Sequence, residues 1–442
     1  MRSYLKKKIT RDSQETIHLN YTYCDYLNVS ICQITEKEDS VVMNVYNPTG
    51  RNVVHYIRLP VTSKQYMVFD SSGNPVVSQI ARVSPETSTI RRGSHGSAGY
   101  ELAFEALAPA LGYSSYFIER IKKEKLSGTA LFSEEHLMDS DKTSIENDYL
   151  KLEFSDQTGR LIRMTNKNED LALDIEQQFF WYNASVGNKE SIQTSGAYIF
   201  RPYRTLPFDV CDLNKGVIHI TKGPVYEEVR QVFGTYVSQV IRLYKRANYA
   251  EFEHTVGPIP VADGLGKEII TRFDTNIESA GKFFTDANGR EMKERIRDHR
   301  DTWKLNVTEP VAGNYYPVNS RIFIKDSNAQ LTVMSDRSQG GGSINDGSLE
   351  VMVHRRLLRD DFLGVGEALD EPGIDGQGLV TRGRHRVLLS KPSNAAKLHR
   401  KHGELMMMPP VLRFINCCYF LFFSSIIQPA KLQKKQCGGV YL

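Results

Sequence analysis

Tyr149 to Ile162 reads YLKLEFSDQTGRLI. Leu150, Leu152 and Phe154 alternate with Lys151 and Glu153, the period of two that turns one face of a strand to a core. Asp156-Gln157-Thr158-Gly159 supplies turn chemistry, and Leu161-Ile162 resumes the apolar run. The segment is a hairpin, and its grammar recurs downstream. Strand-like stretches run over Val225 to Phe233, Val237 to Tyr244, Tyr249 to Val256, Glu268 to Phe273, Arg321 to Ile324, Leu331 to Met334 and Leu349 to Val353. Roughly 270 residues of this pattern describe one large, many-stranded sandwich. Glu291 to Arg300, EMKERIRDHR, is the best helix candidate, with an apolar side too thin to anchor a core.

Upstream the same period predicts a smaller unit. Val41, Met43 and Val45 alternate before Asn47-Pro48-Thr49-Gly50, and Val53-Val54-His55-Tyr56-Ile57 follows. A second hairpin is expected from Tyr66-Met67-Val68-Phe69 through Ser71-Ser72-Gly73-Asn74 to Val76-Val77. Tyr100, Leu102, Phe104 and Ala106 alternate, and Tyr113 to Ile118 completes the set. The chain therefore reads as all-β. Residues 1–35 are an N-terminal segment, 36–120 a small β-sandwich, 121–144 a polar linker, 145–412 the large domain and 413–442 an atypical tail.

Composition agrees. Of 442 residues 40% are hydrophobic, 24% charged and 10% aromatic, which excludes disordered, collagenous and disulfide-scaffold classes. The aromatics are 22 Tyr and 20 Phe against 2 Trp, a choice that suits pleated surfaces. Lys plus Arg number 56 against 52 Asp plus Glu, so the net charge of +4 gives no footprint for nucleic acid.

The opening MRSYLKKKITRDSQ lacks the apolar region of a signal peptide. Cys24 and Cys32 bracket CDYLNVSIC, a loop that a disulfide can close in an oxidising compartment. Glycosylation sequons stand at Asn20, Asn28, Asn183 and Asn306, close to the number chance provides. Phe414 to Ile427, FINCCYFLFFSSII, is shorter than the ~20 residues a bilayer requires, so no membrane span is expected. This stretch is either a buried strand pair or a tail foreign to the fold. The abrupt change after Pro409-Pro410 favours the second.

Local signatures of chemistry are scarce. HExxH, paired CxxC, HxH, P-loop, dinucleotide and GxSxG motifs are absent. His399 and His402 in KLHRKHGE read as a solvated basic face near a helix end, and Cys211 as a buried structural thiol. Two segments are richer. Phe179 to Ser185 (FFWYNAS), continuing to SGAYIFRP at residues 195–202, mixes aromatics with small polar groups. Such a mixture serves a sugar face or simply the core of two strands. Ser335 to Ser343 (SDRSQGGGS), leading to HRRLLRDD at residues 354–361, joins a glycine loop to Arg and Asp. It serves ligand hydroxyls or a tight turn with a surface ion-pair cluster. Asp360 and Asp361, adjacent on an extended chain, point apart and are poorly placed to share a substrate.

These segments carry a resemblance. FFWYNASVGN, SGAYIFRP, VGPIPV, GKEIITRFDT, FTDANGRE, TWKLNVTEPVAGNYYPVN, LTVMSDRSQGGGS and GSLEVMVHRRLLRDD closely resemble the family 38 glycoside hydrolases, in particular the lysosomal-type α-mannosidases. The likeness runs over about residues 20 to 412. It implies a small β-sandwich followed by a galactose-mutarotase-like supersandwich, the portion after the family's catalytic α/β barrel and helical bundle. The family's reaction is retaining hydrolysis of terminal α-linked mannose in glycoprotein-derived oligosaccharides, with two carboxylates and zinc. By this resemblance the zinc ligands and both carboxylates precede Met1, and the chain is expected to hold no cofactor and to be inactive alone. The implied partners are a mannose-containing oligosaccharide and the catalytic α/β domain, in a lysosomal or secretory setting. CDYLNVSIC resembles the family's entry to its first β domain, which implies a Cys24–Cys32 disulfide. Tyr198 of SGAYIF is implied as a hydroxyl partner of the sugar, and Arg355 and Arg356 of VMVHRRL as bidentate donors or as anchors for barrel acids. The alternative is a non-catalytic carbohydrate-binding or scaffold β protein.

Overall fold

The computed structural model describes residues 20–91, 96–121, 130–133, 135–137, 143–189, 192–210 and 217–416. Two sheets form the small sandwich. One orders Val411–Asn416, Ser40–Tyr46, Tyr113–Arg120 and Tyr66–Phe69, and the other Val53–Val61, Tyr100–Ala108, Ser78–Arg82 and Leu131–Phe132. Val41, Met43 and Val45 meet Ile57, Leu59, Leu102 and Phe104 in one buried core, as the alternation predicts. Cys24 and Cys32 are disulfide-bonded, with Cα atoms 5.0 Å apart.

Three boundaries differ from expectation. The Tyr66 hairpin closes with Val76 N–H on the Val68 carbonyl at 2.8 Å. Its return arm stops at the Phe69–Pro75 bridge, and Ser78–Arg82 crosses to the facing sheet. Pro75 has no N–H to extend the ladder. The stretch read as a linker is woven into both domains. Leu131–Phe132 runs parallel to Ser78–Arg82, and Glu135–Leu137 pairs with Val217–Lys222. The boundary placed at residue 413 falls inside a strand, because Val411–Asn416 pairs with Ser40–Tyr46 and Phe414 is fully buried. Residues 413–416 thus belong to the sandwich. The rest of the tail and Cys211 lie outside the described residues.

The large domain stacks a nine-stranded sheet on a ten-stranded one. Leu150, Leu152, Phe154, Phe273 and Leu349 from the first pack against Ile241, Leu243, Phe252, Val333 and Leu389 from the second. Glu291–Ile296, the expected helix, is a strand at the edge of the ten-stranded sheet, paired with Lys282–Ala287. Charges along both sides of a strand are how edges resist further pairing. Gly340-Gly341-Gly342, expected as a loop, lies in the strand Gln339–Gly342. A Cβ on Gly342 would sit 2.5 Å from the Asn314 carbonyl oxygen, so glycine permits the close approach.

The long helix is Pro392–Met407, opened by a proline in its first turn. It buries Ala395, His399, His402, Gly403 and Met406, a stripe at helical spacing. His399 and His402 are therefore packed inside, not solvated. Histidine and glycine in the stripe hid its amphipathicity.

Candidate functional site

Leu171–Asn183, Lys267–Thr275 and Ser348–Arg356 are neighbours in the nine-stranded sheet. Their register aligns Tyr182 with Glu268 and Glu268 with Arg355, while Asn183, Lys267 and Arg356 form the next row out. One end of this sheet thus gathers Tyr182, Asn183, Arg355 and Arg356, from the segments that the sequence singled out, with Lys267 and Glu268, which it did not. Two segments leave this end: one after Asn183, which includes the strand pair Val186–Lys189 and Ile192–Thr194 and the strand Phe208–Asp209, and the loop 357–380.

Glu268 organises the end. It is fully buried, and its Oε1 accepts from Arg355 Nη2 at 2.7 Å, Arg355 Nε at 3.0 Å and Ser195 Oγ at 2.7 Å. Burial raises the Glu268 pKa, and the Arg355 charge and the Ser195 hydroxyl pull it back. Arg355 Nη2 also donates to the Ile199 carbonyl at 2.7 Å. Arg355 is thus committed to holding the turn that carries Tyr198. Arg356 is committed as well, with Nε on Asp370 at 2.5 Å and Nη1 on the carbonyls of Ile259 and Gln377. It ties the 357–380 loop to the sheet end.

Asp361 is the second buried carboxylate. Its Oδ2 accepts the backbone N–H of Tyr198 at 2.7 Å and of Ile199 at 3.1 Å, and its Oδ1 accepts from Leu363 at 3.2 Å. A Cβ on Gly196 would lie 2.5 Å from the Asp361 Cβ, so the turn closes only over glycine. Asp360 and Asp361 follow the strand end at Arg356, and Asp361 is occupied by backbone donors.

The arrangement fixes the main chain at Tyr198 and leaves its side chain 65% exposed. Phenol oxygen donates and accepts, so a rigidly held, exposed tyrosine suits a ligand hydroxyl. Nearby, Trp181 stacks on Phe208 at 4.4 Å, and the Arg204 guanidinium covers the Phe208 ring at 3.4 Å. Phe179, Phe180 and Tyr182 are core residues, so the FFWY run is mainly structural. Tyr182 and Tyr315 donate to the buried Glu350, at 3.0 and 2.5 Å.

The sequence reading missed Glu268, Ser195, Asp361 as a clamp, and Glu350. The signal for Glu268 was a carboxylate beside Ile269-Ile270 in a strand buried on both faces. Asn20, Asn28 and Asn306 are exposed, whereas Asn183 is half-buried in its strand. Among the described residues no group of three or more His, Cys, Asp or Glu is placed to hold a metal. Among them, too, no helix is long and apolar enough to cross a membrane.

Residues 145–363 match the glycosyl hydrolases family 38 C-terminal domain, and residues 76–118 the lysosomal alpha-mannosidase-like central domain. The chain is 46% identical over 391 residues to the lysosomal alpha-mannosidase of Bos taurus, covering 88% of this chain and 37% of the relative. Identity to that of Homo sapiens is 47% over 391 residues, with 88% and 38% covered. The alpha-mannosidase of Canavalia ensiformis is 38% identical over 412 residues, with 89% and 42% covered. The chain thus spans a little over one third of the animal relatives' length. An alpha-mannosidase structure from Enterococcus faecalis V583 superposes with a TM-score of 0.54 at 14% identity, covering 88% of this chain and 47% of that one, which supports the fold. The chain belongs to glycosyl hydrolase family 38, of which it carries the C-terminal domain and, ahead of it, a central domain of the lysosomal α-mannosidase kind.

Proposed function

We propose that the chain is the sugar-binding, structural portion of an α-mannosidase acting on terminal α-linked mannose, and that Tyr198 faces the substrate. The observation that carries this reading is an exposed phenol whose backbone is held by the fully buried Asp361 and braced by the Arg355–Glu268 pair. Arg355 and Arg356 act as loop anchors. The hydrolytic carboxylates and zinc belong, on this reading, to the family's catalytic α/β domain. The sheet end presents Tyr203, Leu206, Phe362 and Ile374 to solvent, with Phe362 82% and Ile374 100% exposed. Apolar side chains massed at one end suit packing against another domain. The disulfide and the exposed sequons at Asn20, Asn28 and Asn306 fit a secretory or lysosomal route.

The test completes the chain with the catalytic portion of the bovine relative and compares wild type with Tyr198→Phe. Loss of one hydroxyl contact should lower kcat/KM for an α-mannoside about tenfold without moving the melting temperature. An unchanged kcat/KM would refute the assignment of Tyr198.

A further inference from the structure

The small sandwich and the ten-stranded sheet enclose a cleft of about 590 Å³, whose lining includes no residue of the Tyr198 turn and whose volume is within the size range of small-molecule sites. Its walls come from Val53–Val61, Ala250–Val256, Thr381–Ser390 and the helix Pro392–Met407. Strand alternation turns Val387 and Leu389 into the core and Arg382, Arg384 and Arg386 towards the cleft.

Most cleft cations are already paired. Glu253 accepts from Arg58 at 2.7 Å and Arg382 at 2.6 Å, Arg337 pairs with Asp336 at 2.9 Å, and Arg246 pairs with Glu105. Arg386 differs. Among the described residues it forms no ion pair or hydrogen bond; its buried Nε has no partner, and its guanidinium lies 4.5 Å over the Tyr249 ring. Its register neighbour Glu251 accepts from the Tyr244 hydroxyl at 2.9 Å and pairs with Arg384 at 3.9 Å, so it feels the Arg386 charge without bonding to it.

Two imidazoles share this environment. His402 meets the Tyr249 ring edge-on at 5.0 Å. His402 and His55 are 7% and 8% exposed and line the cleft, and His402 Nδ1, His402 Nε2 and His55 Nε2 have no partner among the described residues. Burial first, and then the Arg386 charge, lowers the pKa of His55 to about 4 and of His402 to about 3. Both rings are neutral near pH 7, and each then carries one N–H donor. Lys401, exposed on the same helix, adds a further cation to the lining.

Unpaired buried donors cost stability unless something accepts from them. A guanidinium, two imidazole N–H groups and an ammonium form a donor set that calls for an acceptor-only, negatively charged ligand. We propose that this cleft binds an oxyanion of the phosphate class, held by Arg386 with His55, His402 and Lys401. The anion is free or is the phosphomonoester of a small polar molecule.

Calorimetry on the whole 442-residue chain at fixed ionic strength tests this, with inorganic phosphate and glucose 6-phosphate as probes and chloride as the reference. Saturable binding is expected, weakened about tenfold or more by Arg386→Gln. The exposed Lys401→Gln, which leaves the buried groups in place, should weaken it about threefold. Tighter binding of the ester identifies the esterified ligand, and equal binding the free anion. Saturation by neither probe, or affinity unchanged in both variants, would overturn the proposal.

Discussion

Asp361 holds Tyr198 by its backbone: the carboxylate Oδ2 accepts the Tyr198 N–H at 2.7 Å and the Ile199 N–H at 3.1 Å. The aspartate is fully buried while the tyrosine side chain is largely exposed. Fixing a side chain through its main chain leaves the phenol free for a ligand.

The clamp predicts a local effect. Asp361→Ala strands three backbone donors, at a cost of about 1–3 kcal/mol. Amide exchange should quicken across residues 195–202 more than in the strand Lys267–Thr275. Equal protection in both variant and wild type would show that the carboxylate does not hold the turn.

Glu268 and Arg355 should respond asymmetrically. Glu268→Ala leaves a half-buried guanidinium without its carboxylate, and about 3 kcal/mol of stability should be lost in urea unfolding. Glu268→Gln keeps an acceptor for Arg355 and should lose less. If the two variants unfold at the same urea concentration, the pair is not structural.

Glu350 predicts a pH dependence. Burial, against the pull of the Tyr315 and Tyr182 hydroxyls, raises its pKa from 4.5 to about 7. An acid with a raised folded pKa contributes stability that is complete below its unfolded value, near pH 4.5, and is lost as pH rises through about 7. The window is worth on the order of 3 kcal/mol. Glu350→Gln should flatten the stability profile between pH 4.5 and 7.5 in urea titrations. A profile as steep as wild type would place the titration elsewhere.

Gly342→Ala forces a methyl to 2.5 Å from the Asn314 carbonyl oxygen and should cost about 1–3 kcal/mol. Gly50→Ala, with open space around it, should stay within about 0.5 kcal/mol. Equal melting temperatures for these variants would contradict the close approach.

The β character, the hairpin at Tyr149 and the sandwich core of Val41, Met43 and Leu102 were legible because alternation reports a half-buried strand directly. The buried face of the helix Pro392–Met407 was not, since His399, His402 and Gly403 in its stripe read as polar. The edge strand Glu291–Ile296 misled in the opposite sense, because a charged edge loses alternation. At the candidate site the motifs that hold Tyr198, Arg355 and Arg356 were visible through the family resemblance. Their wiring was not: Glu268 and Asp361 act through tertiary contacts that join residues 73 and 163 positions apart in sequence. Spacing along the chain carries no record of such pairs.

On the proposed reading this chain binds and shapes the sugar site without supplying the hydrolytic groups. The most direct test is an aryl α-mannoside assay with zinc, on the purified chain alone and after completion with a catalytic portion from a relative. Background turnover is expected from the chain alone, and zinc-dependent turnover once it is completed. Turnover by the chain alone would contradict that reading.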